Sequence, residues 1–282
     1  MYIINKERKI IVLIVVVILI ILFFMLTRTN INIAWSCGQD LKYNGDVYGT
    51  IKIGNTCVFK DNLNTEKYRN GEKIKLIEGK FKESEVDLSL FGIGEPSENS
   101  EESMEEMFAE PEIKEWEVTK EGAYSNYENN ANNSLTYGKL YNFYAVVDVR
   151  GLCPQGWRVP SDEEWMAIEK SLGMCEGEDS GCTQASRERG AKEEIGNKLK
   201  KQGAWESLFG ENINQSNFSA LPGGLRSPNA MFMGLESVAS FWTSTEASDG
   251  RAWIRNLRDR KTGVYRLDEG NNYGASVRCI KN

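Results

Sequence analysis

The chain has 282 residues, enough for one large domain or two small ones, with 40% hydrophobic and 27% charged side chains and a formal net charge of −7. It contains no histidine, which excludes Ser-His-Asp and Cys-His catalysis, His-containing zinc sites and the commonest pH switch. The acidity is local: Glu95 to Glu115 holds nine glutamates and one lysine, which leaves the rest of the chain near +1.

Ile10 to Leu26 is a run of seventeen residues, "IIVLIVVVILIILFFML", without a polar side chain. As a helix it would be roughly 26 Å long, near the lower limit for crossing a hydrocarbon core. Lys6, Arg8 and Lys9 precede it and only Arg28 follows closely. The positive-inside rule therefore predicts a cytoplasmic N-terminus over 1–9, an uncleaved transmembrane signal-anchor over 10–27 and a juxtamembrane linker over 28–36, with the remainder extracytoplasmic. A cleaved signal peptide competes, but its apolar region should be shorter, and Ala34-Trp35-Ser36, the only small-x-small site, lies far behind the run. Lipidation of Cys37 is a third reading with poorly fitting flanks. Export suits the six cysteines, at 37, 57, 153, 175, 182 and 279, as disulfides; spacing leaves fifteen pairings open.

Residues 37–79 carry short apolar alternations at Val47-Tyr48 and Ile51-Ile53, separated by Asn44-Gly45 and Gly54-Asn55. They predict a β-hairpin followed by a further strand, which a Cys37–Cys57 bond could staple. Residues 80–115, rich in Glu, Ser, Gly and Pro, predict a disordered acidic insertion. From 116 to 282 the chain reads as globular. "LTYGKLYNFYAVVDV" places Leu140, Tyr144 and Val147 at helical spacing and predicts a buried helix. Pro160 stops a strand, Ser161 and Glu164 form a capping box, and Trp165, Ile168 and Leu172 define one face of a helix ended by Gly173. A second helix is predicted over Ala191–Lys201. "FWTSTE", "RAWIRNL", "GVYRL" and "ASVRCIKN" predict four strands of an antiparallel meander, which makes the whole α+β.

"CPQGWRVPSDEEW", "FSALPGGLR", "FWTSTE" and "YGASVRCIKN", in that order, resemble the Fibrobacter succinogenes major paralogous domain, a family of bacterial exported proteins. "YGTIKIGNTCVFKDNLNTEKYRNGEKI" and "YGKLYNFYAV" are similar to that family's N-terminal half. The resemblance implies a C-type lectin-like fold, related to sulfatase-modifying domains, with two helices and an irregular antiparallel sheet. It also brings the two halves together, implying Cys153 with Cys279, and with that Cys37 with Cys57 and Cys175 with Cys182. Trp157 and Trp165 become core aromatics.

Neither borrowed chemistry fits these residues. The reactive cysteine pair of formylglycine-generating relatives has no counterpart, since Cys279 is the only C-terminal cysteine, and the calcium-binding tripeptides of sugar-binding lectins are missing. Asp268, Glu269, Asn271 and Asn272 could offer oxygens to calcium but read as a polar turn. The expectation is therefore a non-catalytic protein without metal or cofactor and without a nucleic-acid partner. Arg251, Arg255, Arg258, Arg260, Lys261 and Arg266 face one acid, Asp259, and are interleaved with aromatics. Arginine beside aromatic rings marks recognition surfaces. The candidate contacts for a glycan or a cell-surface protein are Trp242, Trp253, Arg255, Arg258, Tyr265, Arg266, Asn271, Asn272 and Tyr273. The alternative is a structural or adhesive cell-surface display protein without a specific small ligand, and an enzyme of formylglycine-generating type is a distant third. The acidic 80–115 segment could compete across these basic strands with an anionic ligand, a solvated spacer being the plainer reading. A reporter fused after Asn282 should be active only in an oxidising, external compartment, with Met1 or Tyr2 still at the mature N-terminus; an N-terminus at Cys37 would mean processing instead.

Overall fold

The computed structural model describes residues 11–20, 35–78, 111–175, 187–205 and 210–282. The chain divides into two units, Met1–Ser36 and Cys37–Asn282. In the first, residues 11–20 are helical with exposed side chains. No helix among the described residues is long and apolar enough to cross a membrane, and the rest of the span expected over 10–27 lies outside them.

The second unit is α+β, with mostly antiparallel sheets and short helices. Asn44 and Gly45, at φ 50° and 99°, turn β1 (Leu41–Tyr43) into β2 (Asp46–Tyr48), the twist-matched turn that Asn-Gly favours. A second hairpin joins β3 (Thr50–Ile53) to β4 (Thr56–Phe59), so the expected hairpin and single strand become two hairpins. Beyond β5 (Lys75–Leu76), residues 80–110 of the expected acidic insertion lie outside the described residues, and α1 (Pro111–Val118) begins within its last five.

The single helix expected through "LTYGKLYNFYAVVDV" is not formed. β6 (Ala123–Ser125) precedes α2 (Ala131–Tyr137), which stops at Gly138, φ 76°, where a Cβ would lie 2.7 Å from that of Asn62. Leu140–Tyr141 then pair with β6 as β7. The helix resumes for one turn as α3 (Phe143–Val146), capped by Asn142, whose Oδ1 accepts from the amides of both Ala123 and Ala145. Local hydrogen bonding thus overrides the apolar period.

After β8 (Trp157–Arg158), the capping box forms as expected at the start of α4 (Asp162–Ser171): Glu164 N–H donates to Ser161 Oγ, and Ser161 N–H donates to Glu164 Oε2. Trp165 and Ile168 are buried and Leu172 packs at the margin. β9 (Arg187–Arg189) leads to α5 (Ile195–Leu199), shorter at both ends than the expected 191–201 because Glu194 is left-handed and Lys200 extended.

Gly223–Arg226 is β10, Phe232–Leu235 β11, Val238–Ser248 β12, Arg251–Arg258 β13 and Val264–Gly270 β14. They form a six-stranded sheet in the order β11-β10-β12-β13-β14-β9. Its β12-β13-β14 portion is the expected meander. The fourth expected strand departs: β15 (Ile280–Lys281) lies between β4 and β8 in a separate four-stranded sheet. Cys279 fixes that placement, being bonded to Cys153 while its carbonyl accepts from Phe59 N–H at 3.0 Å. Cys37–Cys57 is the other bridge described in full. Cys175 is also disulfide-bonded, and its expected partner Cys182 lies outside the described residues.

The main core packs Trp165, Phe218 and Phe241, with centroids 5.7–5.8 Å apart, against Ile195, Leu199, Leu257, Val264 and Ile280. α5 approaches the turn before β14 so closely that a Cβ on Gly196 would sit 2.1 Å from Gly263 O. Backbone cannot yield as a side chain does, so Gly196→Ala should destabilise the domain by about 1–3 kcal/mol or more in urea unfolding. An unchanged midpoint would show that α5 can lift away.

Candidate functional site

Side chains alternate across a strand, so the meander has two faces. Phe241, Trp253, Arg255, Leu257, Val264 and Arg266 share the face covered by α4, as the Trp165–Phe241 ring contact and the Arg255–Glu169 ion pair establish. Trp242, Ile254, Asn256, Arg258 and Tyr265 lie on the other. The six candidate contacts that lie on these strands are thereby divided between opposite faces, and Asn271, Asn272 and Tyr273 follow the end of β14.

Several of them are interior. Trp242 is wholly buried, with Nε1 donating to Tyr141 O at 2.7 Å and its ring beside Phe143, so it is core and not a ligand platform. Arg255 is equally buried, which corrects its assignment to an exposed recognition surface. Asn271 is buried between Gly250 and Phe143, whose backbones bond its N–H and carbonyl respectively. Asn272 Nδ2 donates to the carbonyls of Trp116 and Thr119, both at 2.8 Å, tying α1 to the end of the meander. On the far face, Arg258 stacks on Tyr265 at 4.2 Å, and the Tyr265 hydroxyl donates to Glu188. Tyr273 is half-buried beside Glu269.

The basic strip is also partly paired. Arg251 pairs with Asp268 at 2.7 Å, Arg260 with Asp259 at 3.6 Å and Lys261 with Glu188 at 3.9 Å. Arg258 has an amide and an aromatic ring in place of an acid, so the positive charge that stays accessible on this side is that of Arg258, Arg260 and Lys261.

The arginines on the α4 face instead build a buried network. Arg255 donates from Nε to Glu169 Oε1 at 2.6 Å, from Nη1 to Asp162 Oδ1 at 2.7 Å and from Nη2 to Asp162 O at 3.1 Å. Arg189 Nη2 reaches Glu169 Oε2 at 2.6 Å, and Arg266 Nη2 reaches Asp162 Oδ2 at 2.8 Å. Three guanidiniums thus meet two carboxylates. The face of Trp253, its centroid 3.3 Å from the Arg266 guanidinium carbon, supplies further electrostatic attraction. Burial works to raise the Asp162 carboxyl, but the Arg266 hydrogen bonds and the Arg255 charge outweigh it, leaving its pKa below the usual carboxylate value. Burial lowers the Arg189 guanidinium to about 10; the Glu169 charge opposes that shift, and the like charges of Arg255 and Arg266 add to it.

This network opens to solvent at one end. The register of β12 against β13 shifts between Trp242 and Glu246, and this bulge lets Thr245 Oγ1 accept from Asp162 N–H at 3.0 Å. Ser244 N–H bonds Pro160 O at 2.9 Å and holds the same junction. Beside it lies a cleft of about 450 Å³ lined by Ser161, Asp162, Glu163, Met166, Thr245 and Arg266. Half-buried Trp253 stands behind its Arg266 wall. Of the nine candidates, this site retains Arg266 as a wall and Trp253 as its backing. Sequence reading missed Asp162, Glu163, Glu169, Arg189 and Thr245. The signal was in α4: Asp162 and Glu169, seven apart, fall on the Trp165–Ile168 stripe, where acids need buried partners.

Among the described residues no group of three or more Asp, Glu or Cys side chains is placed to hold a metal ion. Cys279 is buried in its bridge to Cys153. The family model described as the Fibrobacter succinogenes major domain matches residues 51–281. No curated protein and no solved structure matches the chain.

Removing one member of a buried ion pair strands the other, at a cost of about 3–5 kcal/mol. Glu169→Ala should therefore lower stability by that order, and should do so more than Glu163→Ala on the exposed side of the same helix. The pH dependence follows from Asp162. Its folded pKa is depressed, so below the unfolded value of about 3.9 the unfolded chain takes up this proton first. The contribution is complete above that pH and is lost as pH falls through the folded value. Asp162→Asn should reduce stability at pH 7 and flatten part of the acid limb of a urea-midpoint profile; an unchanged limb would place the acid sensitivity elsewhere.

Proposed function

The chain belongs to the Fibrobacter succinogenes major domain family, and from that premise we propose that it is a membrane-anchored, extracytoplasmic binding module without catalytic activity. Its ligand is a glycan or a cell-surface protein, taken up at the end of the C-terminal meander. In this reading the domain is C-type lectin-like, residues 10–27 anchor it with the N-terminus in the cytoplasm, and the disulfides reflect export. The apolar run Ile10–Leu26 supports the anchor, and the bridges Cys37–Cys57 and Cys153–Cys279 support an oxidising compartment.

The observation that carries the reading is the cleft at the start of α4. It is open, has polar and apolar walls, and stands on a network that fixes its side chains, which is what preorganised recognition needs. The competing reading, a display unit without a small ligand, draws support from the arginines, most of which serve the interior or are already paired. A glycan array probed with the 37–282 fragment separates the two. A binding module should give discrete positives that Trp253→Ala weakens by about tenfold, since the Arg266 wall of the cleft loses the ring that holds it. The absence of any ligand on glycan and cell-surface protein arrays would favour the display unit.

A further inference from the structure

The charges of the cleft are unequally engaged. Asp162 and Arg266 neutralise each other, and Arg255 takes up the other side of Asp162. Glu163 is exposed and has no hydrogen-bond or ion-pair partner among the described residues. The three guanidiniums and two carboxylates of the network leave one positive charge behind the cleft, so Glu163 brings the local sum to about zero; the charged group still open to direct pairing with a ligand is its carboxylate.

The hydroxyls add a second constraint. Ser161 Oγ accepts from Glu164 N–H, and Thr245 Oγ1 accepts from Asp162 N–H. Each spends a lone pair on the backbone and keeps its own proton for another acceptor. Met166 supplies a patch of apolar wall. Two hydroxyl donors, one carboxylate acceptor and an apolar surface match a ligand with hydroxyl oxygens, a cationic nitrogen and a C–H face.

We infer that the α4 cleft selects an amino sugar, with the Glu163 carboxylate receiving its ammonium and the Ser161 and Thr245 hydroxyls donating to its oxygens. This specificity rests on the binding-module reading above and narrows its ligand class. An anionic saccharide is disfavoured twice, by Glu163 and by the prior commitment of Arg266 to Asp162. The exposed position of Glu163 limits the attraction and makes it sensitive to salt.

The test is calorimetric titration of the full chain in detergent with glucosamine oligomers, their N-acetylated counterparts and uronic-acid oligomers. Glucosamine oligomers should bind best. Glu163→Gln should weaken them by about two- to fivefold at low salt, as expected for loss of an exposed ion pair. It should leave the N-acetylated series unchanged, and raising the pH until the sugar amine is neutral should remove the difference between wild type and variant. Uronic-acid oligomers binding best, or glucosamine binding indifferent to Glu163→Gln yet lost in Trp253→Ala, would overturn the amino-sugar assignment while leaving a binding module. Binding of lysine-rich peptides without any sugar would overturn it in favour of a protein ligand. No binding to any saccharide or peptide tested would overturn it together with the reading on which it rests.

Discussion

The grip of Asp162 and Glu169 on Arg189, Arg255 and Arg266 is the constraint on which the domain depends. Its helices are short, and its largest sheet has only one covered meander, so neither layer has enough regular structure to position the other by packing alone. Directional bonds do that work. Two carboxylates seven residues apart on α4 meet guanidiniums on three neighbouring strands, and this fixes both the axial position and the rotation of the helix on the sheet. The aromatic contacts of Trp165 and Phe241 then fill a space whose dimensions are already set. Desolvating five charges is expensive, so such a network supplies specificity more than net stability.

The segments that carry the family resemblance are sites where distant parts of the chain interlock. Thr245, in "FWTSTE", accepts the first amide of α4 from "CPQGWRVPSDEEW". Arg278, in "YGASVRCIKN", is wholly buried; its guanidinium donates to the carbonyls of Phe218 and Ser219 in "FSALPGGLR" and to Asn62 Oδ1 after β4. Burial lowers that guanidinium to about 9, yet it stays charged at neutral pH, held over the Phe218 ring at 4.1 Å. The arginines of these segments join the chain to itself, which is why a reading that turned them outward placed too much positive charge on the surface.

Features decided by neighbouring residues were legible in the sequence. The Ser161–Glu164 capping box, the Asn44-Gly45 turn and the β12-β13-β14 meander each depend on a few adjacent side chains and formed as their local chemistry dictates. What distant partners decide was not. β15 pairs with Val58, more than two hundred positions away in sequence, and nothing within "ASVRCIKN" announces that it leaves the meander. Arg255 and Arg258 are chemically identical three residues apart, yet one is wholly buried and the other half-buried beneath a tyrosine partner. The cleft itself arises from the β12 bulge, whose register shift no alternation of apolar residues reveals.

The pairing of β15 with β4 has a mechanical meaning. A tension applied between Cys37 and Ile280 would cross the Cys37–Cys57 bond, pass one residue along β4 and reach β15 through the Val58–Ile280 pairing and the Phe59–Cys279 hydrogen bond. That route bypasses the meander, α4 and the buried network. The Cys153–Cys279 bond adds a covalent stop beside it. Force would be carried by a narrow seam of sulfur bridges and strand hydrogen bonds, and the cleft would stay in the slack part of the molecule, keeping its shape under load.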